Sequence, residues 1–284
     1  MPMTRTTTHR PRSSPRRSPW SSRLLAATIG LALCGFGVGC DDKKNDKKKE
    51  TAEASAPTPE TTEPEPVAAL PKGPPELSVD EVSPRVGFSR TVVMKPDGSP
   101  NPDGLAELRA KLEEAKEHIA EQDVVVRVHR QARPGWVTTY LNELGKLGPK
   151  SVAVETDTRP DYPSKVTALP ETQLSNPAKC SLVGAILADR GTAIWRLSGG
   201  TARKRGRGMG GPDLTMTGET IESMAKGCAE SSLFFASAAE GVEWGLVYDL
   251  AASALALEKA GLKTAVFPSQ PTTAGHAVEL AHGK

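Results

Sequence analysis

Arg203, Lys204, Arg205 and Arg207 sit almost side by side in the glycine-rich stretch SGGTARKRGRGMGGPD (198–213). Cationic groups interleaved with glycine are suited to holding anions, such as a lipid phosphate or a cell-wall polymer. A solvated surface loop is the other reading of the same residues. Gly206, Gly208 and Gly211 also satisfy G-x-G-x-x-G. A dinucleotide cradle, however, needs a strand directly before it and a helix directly after. Pro212 interrupts here and helical periodicity resumes only later, which excludes nucleotide binding. Nucleic-acid binding through an Arg-Gly segment needs aromatic residues to stack the bases, and the stretch has none.

Other reactive residues are sparse. The cysteines are Cys34, Cys40, Cys180 and Cys228, with no CxxC spacing for a metal. Cys180 and Cys228 are either a disulfide, which an oxidising compartment favours, or two buried thiols. His118 and His129 have no ligand at useful spacing, no G-x-S-x-G elbow occurs, and no pair of carboxylates is placed for acid–base work. We therefore expect no catalytic residue, no metal, no cofactor and no enzymatic activity. Trp136 and Trp244 open two similar helix-like stretches. They mark either a docking surface or equivalent packing in two cores.

The elements that hold these residues begin late in the chain. Its 284 residues carry a net charge of +2, with 37% hydrophobic and only 4% aromatic residues, thin for one core of that length. Residues 1–23 are rich in arginine and free of acid. An apolar run from Leu24 to Gly39 and then Cys40 follow, as in an export signal. GVGC resembles a bacterial lipobox, with Gly37 where leucine is usual, so Cys40 is the candidate lipidation site and the membrane the first expected partner. An uncleaved signal anchor is the alternative. Residues 41–75, charged and then rich in Pro, Thr and Glu, form a disordered tether, with a reach on the order of 30 Å.

From residue 76 the periodicities change. RTVVM (90–94) has strand composition, and Asp103 is placed to cap a helix carrying Leu105, Leu108, Leu112, Ala115 and Ile119. Val124, Val126 and Val128 alternate as a half-buried strand. A helix with Val137, Tyr140, Leu141 and Leu144 then stops at Gly148, and SVAVET (151–156) is a further strand. Residues 159–179, dense in proline, read as a linker. The plan then repeats: two strands around Asp189–Gly191, a helix capped by Thr217, the strand SLFFAS, a helix from about Leu246 to Ala260 ended by Gly261, and the strand KTAVFP. The second unit covers 180–269, and 270–284 form a tail.

The text VVVRVHRQARPGWVTTYLNELGKLGPKSVAV (124–154) resembles the periplasmic domain of the ExbD/TolR family, and LFFASAAEGVEWGLVYDLAASALALEKAGLKTAVF (233–267) does so more faintly. The resemblance implies an α+β fold: two tandem small domains (76–158 and 180–269), each a mixed β-sheet with two helices packed on it. It further implies an exported protein, membrane-anchored in the bacterial cell envelope and facing the periplasm. Its role would be accessory or structural in a proton-driven envelope transport or energy-transduction system. Expected partners are a proton-channel subunit, an ExbD/TolR-like protein and peptidoglycan, with no nucleic acid. Family members carry an aspartate in an N-terminal transmembrane helix, whereas Leu24 to Gly39 holds no acid, so the proton step would belong to a partner. Family domains act as dimers, and the tandem would be a covalent pseudo-dimer. The competing reading is a stand-alone lipoprotein that binds cell-wall glycan or another envelope protein.

Overall fold

The computed structural model describes residues 73–95, 99–228 and 230–280. The export signal with Cys40, and the tether as far as residue 72, lie outside the described residues. The chain builds a large mixed β-sheet and four α-helices.

The first half opens with β1 (Leu77–Val79), β2 (Pro84–Val86) and β3 (Ser89–Arg90). Most of the strand expected at 90–94 is irregular. α1 (Pro102–Glu114) starts on proline, whose fixed φ suits the first helical turn. Its N-cap is Asn101 rather than Asp103, and the Asn101 amide donates to the Val92 carbonyl instead of capping. Leu108 and Leu112 lie one turn apart and fully buried, while Lys111–Glu114 and Glu113–Lys116 pair on the wet side. β4 (Asp123–Val128), α2 (Pro134–Gly145) and β5 (Ser151–Glu155) follow, and Gly148 takes φ +69° in the turn before β5.

The segment 159–179 is more than a linker. It contributes β6 (Lys165–Ala168), which pairs antiparallel with β5 on one side and parallel with β13 (Thr264–Val266) on the other. Between these come β7 (Leu182–Ile186), β8 (Thr192–Arg196) and β9 (Arg203–Arg205). The small hairpin β10 (Arg207–Gly208) and β11 (Gly211–Pro212), α3 (Leu214–Ala225), β12 (Leu233–Ala238) and α4 (Trp244–Leu255) complete the chain order. Asp213 caps α3, its carboxylate accepting from the Met216 N–H at 3.0 Å. Thr217, expected as that cap, lies inside the helix.

Strand order across the sheet is β3-β2-β1-β4-β5-β6-β13-β12-β7-β8-β9. The order repeats about its centre. β1, β4 and β5 run parallel with an antiparallel hairpin outside them, and β13, β12 and β7 do the same in the other half. The halves therefore share one eleven-stranded sheet, joined through the strand that was expected to separate them.

Side chains from all four helices meet alternate strand residues in one apolar cluster. α4 is buried around most of its circumference, with Val247, Tyr248, Leu250, Ala251 and Ala252 all at most 1% exposed. Each large apolar side chain so placed contributes about 1.5–3 kcal/mol. In the second half the opposite sheet face is also covered. Val183, Trp195, Phe235 and Val266 form a second cluster there, against which Ala274, Val278 and Leu280 of the tail pack. The Trp195 indole N–H donates to the His276 carbonyl at 2.8 Å, and the Val278 N–H to that of Leu197. Burial on both faces explains why β7 reads LVGAI without alternation. At Gly184 the Phe234 ring comes so close that an added Cβ would lie 2.5 Å from its Cζ.

Candidate functional site

The two stretches that interrupt strand and helix in equivalent places, QARPGW (131–136) and EGVEWG (240–245), come together. The Trp244 N–H donates to the Ala132 carbonyl at 3.0 Å, and the Gly245 N–H to that of Arg130 at 2.7 Å. The first turn of α4 thus has its free backbone donors satisfied by the loop between β4 and α2. Gly245 permits the approach, since an added Cβ there would stand 2.9 Å from Arg130 Nε.

Arg130 fixes this seam. Its Nη1 and Nη2 donate to Asp249 Oδ1 and Oδ2 at 3.0 and 2.8 Å. Nη1 also reaches the Asp157 carbonyl, and the Thr158 hydroxyl donates to Asp249 Oδ1 at 2.6 Å. The Asp249 side chain is 3% exposed, so its charge is compensated by a planar, two-bond fork rather than by water. Its hydrogen bonds to Asp249 raise the Arg130 pKa, burial opposes the rise, and the attraction of Asp249, Asp157 and Glu243 adds to it. Asp249 belongs to α4 and Arg130 to the loop after β4, so the pair ties one half to the other.

Trp244 is fully buried, its ring 4.7 Å from Phe267 and its indole N–H donated to the Thr156 hydroxyl. Trp136 is 7% exposed beneath the Arg133 guanidinium, which lies 5.2 Å from the ring centroid. Of the two readings of Trp136 and Trp244, burial supports packing, although Trp244 also borders the groove that lies over this seam. Tyr140 and Tyr248, four positions after each tryptophan, bury their rings as well. Burial drives both phenols well above the usual tyrosine range, with Glu155 and Asp249 adding to it for Tyr248. Their hydroxyls donate to the Arg85 and Pro163 carbonyls.

Above the seam lies a groove of about 700 Å³. Met94, Trp244, Val247 and Phe267 supply apolar wall, and Gln131, Arg133, Glu240 and Glu243 supply polar groups. Ser237, at the end of β12, meets the Thr272 hydroxyl beside it. Among the described residues no histidine or cysteine lines the groove. Its lining combines apolar side chains with two carboxylates and the Arg133 guanidinium. Among the described residues no group of three His, Cys, Asp or Glu is placed to hold a metal ion.

Arg203, Lys204 and Arg205 form the edge strand β9, and Arg207 opens the hairpin after it, so the expected loop is ordered secondary structure. Arg203 and Arg205 reach back to the Ser223 and Thr220 hydroxyls of α3. Cys180 and Cys228 are joined in a disulfide, with Cα atoms 5.5 Å apart. The structure brings neither the basic cluster nor the cysteines to the groove. Residue reading missed Arg130 and Asp249. The available signal was a lone carboxylate in an otherwise apolar helix, because such a charge is buried only with a partner.

Among the described residues no helix is long and apolar enough to cross a membrane. Comparison of the chain with family models, with curated proteins and with solved structures finds no match.

Proposed function

We propose that the chain is a non-enzymatic cell-envelope protein, exported and lipid-anchored through Cys40. On this reading its two ExbD/TolR-like halves act as an accessory or structural part of a proton-driven transport or energy-transduction system. What supports the reading is one observation: both halves follow the order hairpin, helix, strand, helix, strand, with the three inner strands parallel. That order agrees with what the resemblance of 124–154 and 233–267 implies. The tandem is then a covalent pseudo-dimer, two domains fused around β6. The groove over the seam is the surface assigned to a partner, since its apolar wall and rim carboxylates suit an apolar segment bearing a basic residue.

The test is a mild cross-link in intact cells, followed by purification of the tagged chain and identification of what accompanies it. A multi-helix channel subunit with its own ExbD-like protein is the expected result. Wall fragments alone, with no channel protein, would overturn it and leave a stand-alone wall-binding lipoprotein.

A further inference from the structure

The cationic end of the sheet has features that packing does not use. β9 is the outermost strand, and beyond it the hairpin β10–β11 belongs to a separate two-stranded sheet. At its turn Met209 is fully exposed. A Cβ placed at Gly206, Gly210 or Gly211 would meet no atom within 4 Å, so the tip stands clear of the body. Met216, in the first turn of α3, is a second exposed methionine, 39% accessible.

Around Met209 the flanking charges are cationic, whereas Met216 has Asp213 and the exposed Glu219 three positions to either side. Arg203, Lys204 and Arg207 are exposed, and Arg205 is half-buried. Arg190 is exposed in the turn between β7 and β8, directly before Gly191, which packs against the Arg205 carbonyl. None of these cations forms an ion pair among the described residues. The two basic side chains with partners donate to neutral hydroxyls. Asp189 and Asp213 accept from the Gly191 and Met216 backbone N–H groups, and Glu219 and Glu222, beside Thr220 and Ser223 on α3, form no ion pair with these cations. By contrast, Arg85, Arg90, Arg109, Arg127 and Arg130 all pair with carboxylates.

A row of cations on an edge strand discourages pairing with another sheet, but that role needs no apolar tip. Basic residues flanking an unsupported apolar side chain are what an anionic bilayer surface receives. The cations meet headgroup phosphates, and the methionine enters an interior that demands no complementary shape. A folded protein partner would instead need a shaped contact, and this tip is one flexible side chain between glycines. We propose that the β9 edge and the β10–β11 hairpin dock on an anionic lipid surface, with Met209 below the headgroups and Lys204 and Arg207 on the phosphates. This orientation is independent of the channel partner and of lipidation at Cys40.

The experiment uses the full chain with Cys34→Ser and Cys40→Ser, so that Met209→Cys supplies the lone free thiol for an environment-sensitive fluorophore. Vesicles of phosphatidylcholine alone are compared with vesicles containing phosphatidylglycerol. The arginine-rich leader itself favours the anionic vesicles, so the hairpin is read from the fluorophore at position 209 and from its change when Lys204 and Arg207 are neutralised, not from overall binding. A blue shift and brightening on the anionic vesicles only, reversed by high salt, is expected. Lys204→Gln with Arg207→Gln should weaken docking roughly 25-fold, about fivefold per charge removed. An equal signal on both vesicles, no signal on either, or an unchanged signal in the double variant would overturn the proposal. So would an equal response to soluble polyglutamate without lipid, which would point to an acidic protein instead.

Discussion

Replacing Arg130 with methionine is the most direct test of whether the two halves are one cooperative structure. The substitution keeps a long apolar stem against Gly245 but removes both bonds to Asp249, at 2.8 and 3.0 Å. Asp249, its side chain 3% exposed, is left with the Thr158 hydroxyl as its hydrogen-bond partner. Removing one member of a buried pair costs about 3–5 kcal/mol because the other charge stays desolvated. At about 2–4 °C per kcal/mol for a folded region of this size, Tm should fall by roughly 6–20 °C. Adding Asp249→Leu removes the stranded charge, and the double variant should return to within about 2 kcal/mol of the parent. Urea unfolding followed by tryptophan fluorescence is the assay, since Trp244 is buried five positions before Asp249 on the same helix. The parent should unfold in a single transition. A loss below about 1 kcal/mol for Arg130→Met, or a double variant no better than the single, would refute the reasoning.

Three further outcomes are expected. Reducing the Cys180–Cys228 bond, which spans 48 positions, should cost about 4 kcal/mol on the chain-entropy estimate, read from denaturation with and without reductant. Burial raises the Glu143 pKa, but hydrogen bonds from Arg109 and Lys146 outweigh it and hold the carboxyl below its ordinary value. Its contribution is therefore complete above the unfolded value near pH 4.3 and lost as pH falls through the lower folded one. Glu143→Gln should flatten the acid limb of the stability–pH curve in that range, and an unchanged limb would count against the network. Gly184→Ala should cost about 1–3 kcal/mol by forcing a methyl against Phe234, measured as a shift in the denaturation midpoint.

What was legible in the sequence followed from periodicity. Val124, Val126 and Val128 alternate, and Leu108 and Leu112 repeat at one helical turn, so each announces the face it buries. β6 announces nothing. It is four residues among prolines, with only Val166 and Ala168 buried, and it is a strand because the edges of β5 and β13 stand on either side of it. The basic stretch misled in a related way. Its glycines and charges suggest a loop, yet β9 is ordered by β8, with Thr192, Ala193 and Ile194 opposite Arg205, Lys204 and Arg203. For the seam, the lone carboxylate of α4 announces that it needs a partner but not which one. Arg130 and Asp249 lie 119 positions apart, and nothing near either residue names the other.

The strand at the centre also decides what the ends of the molecule can become. A dimer of identical chains presents the same edge at both ends, and every substitution on one is copied onto the other. β6 is a single stretch of chain, antiparallel to one half and parallel to the other, so no rotation maps the whole sheet onto itself. Each end is built from its own residues, so a substitution at one is not copied at the other. One ends in β3, two residues long, with Phe88 89% exposed in the turn before it. The other ends in three consecutive cations. The sheet therefore has a head and a tail of different chemistry.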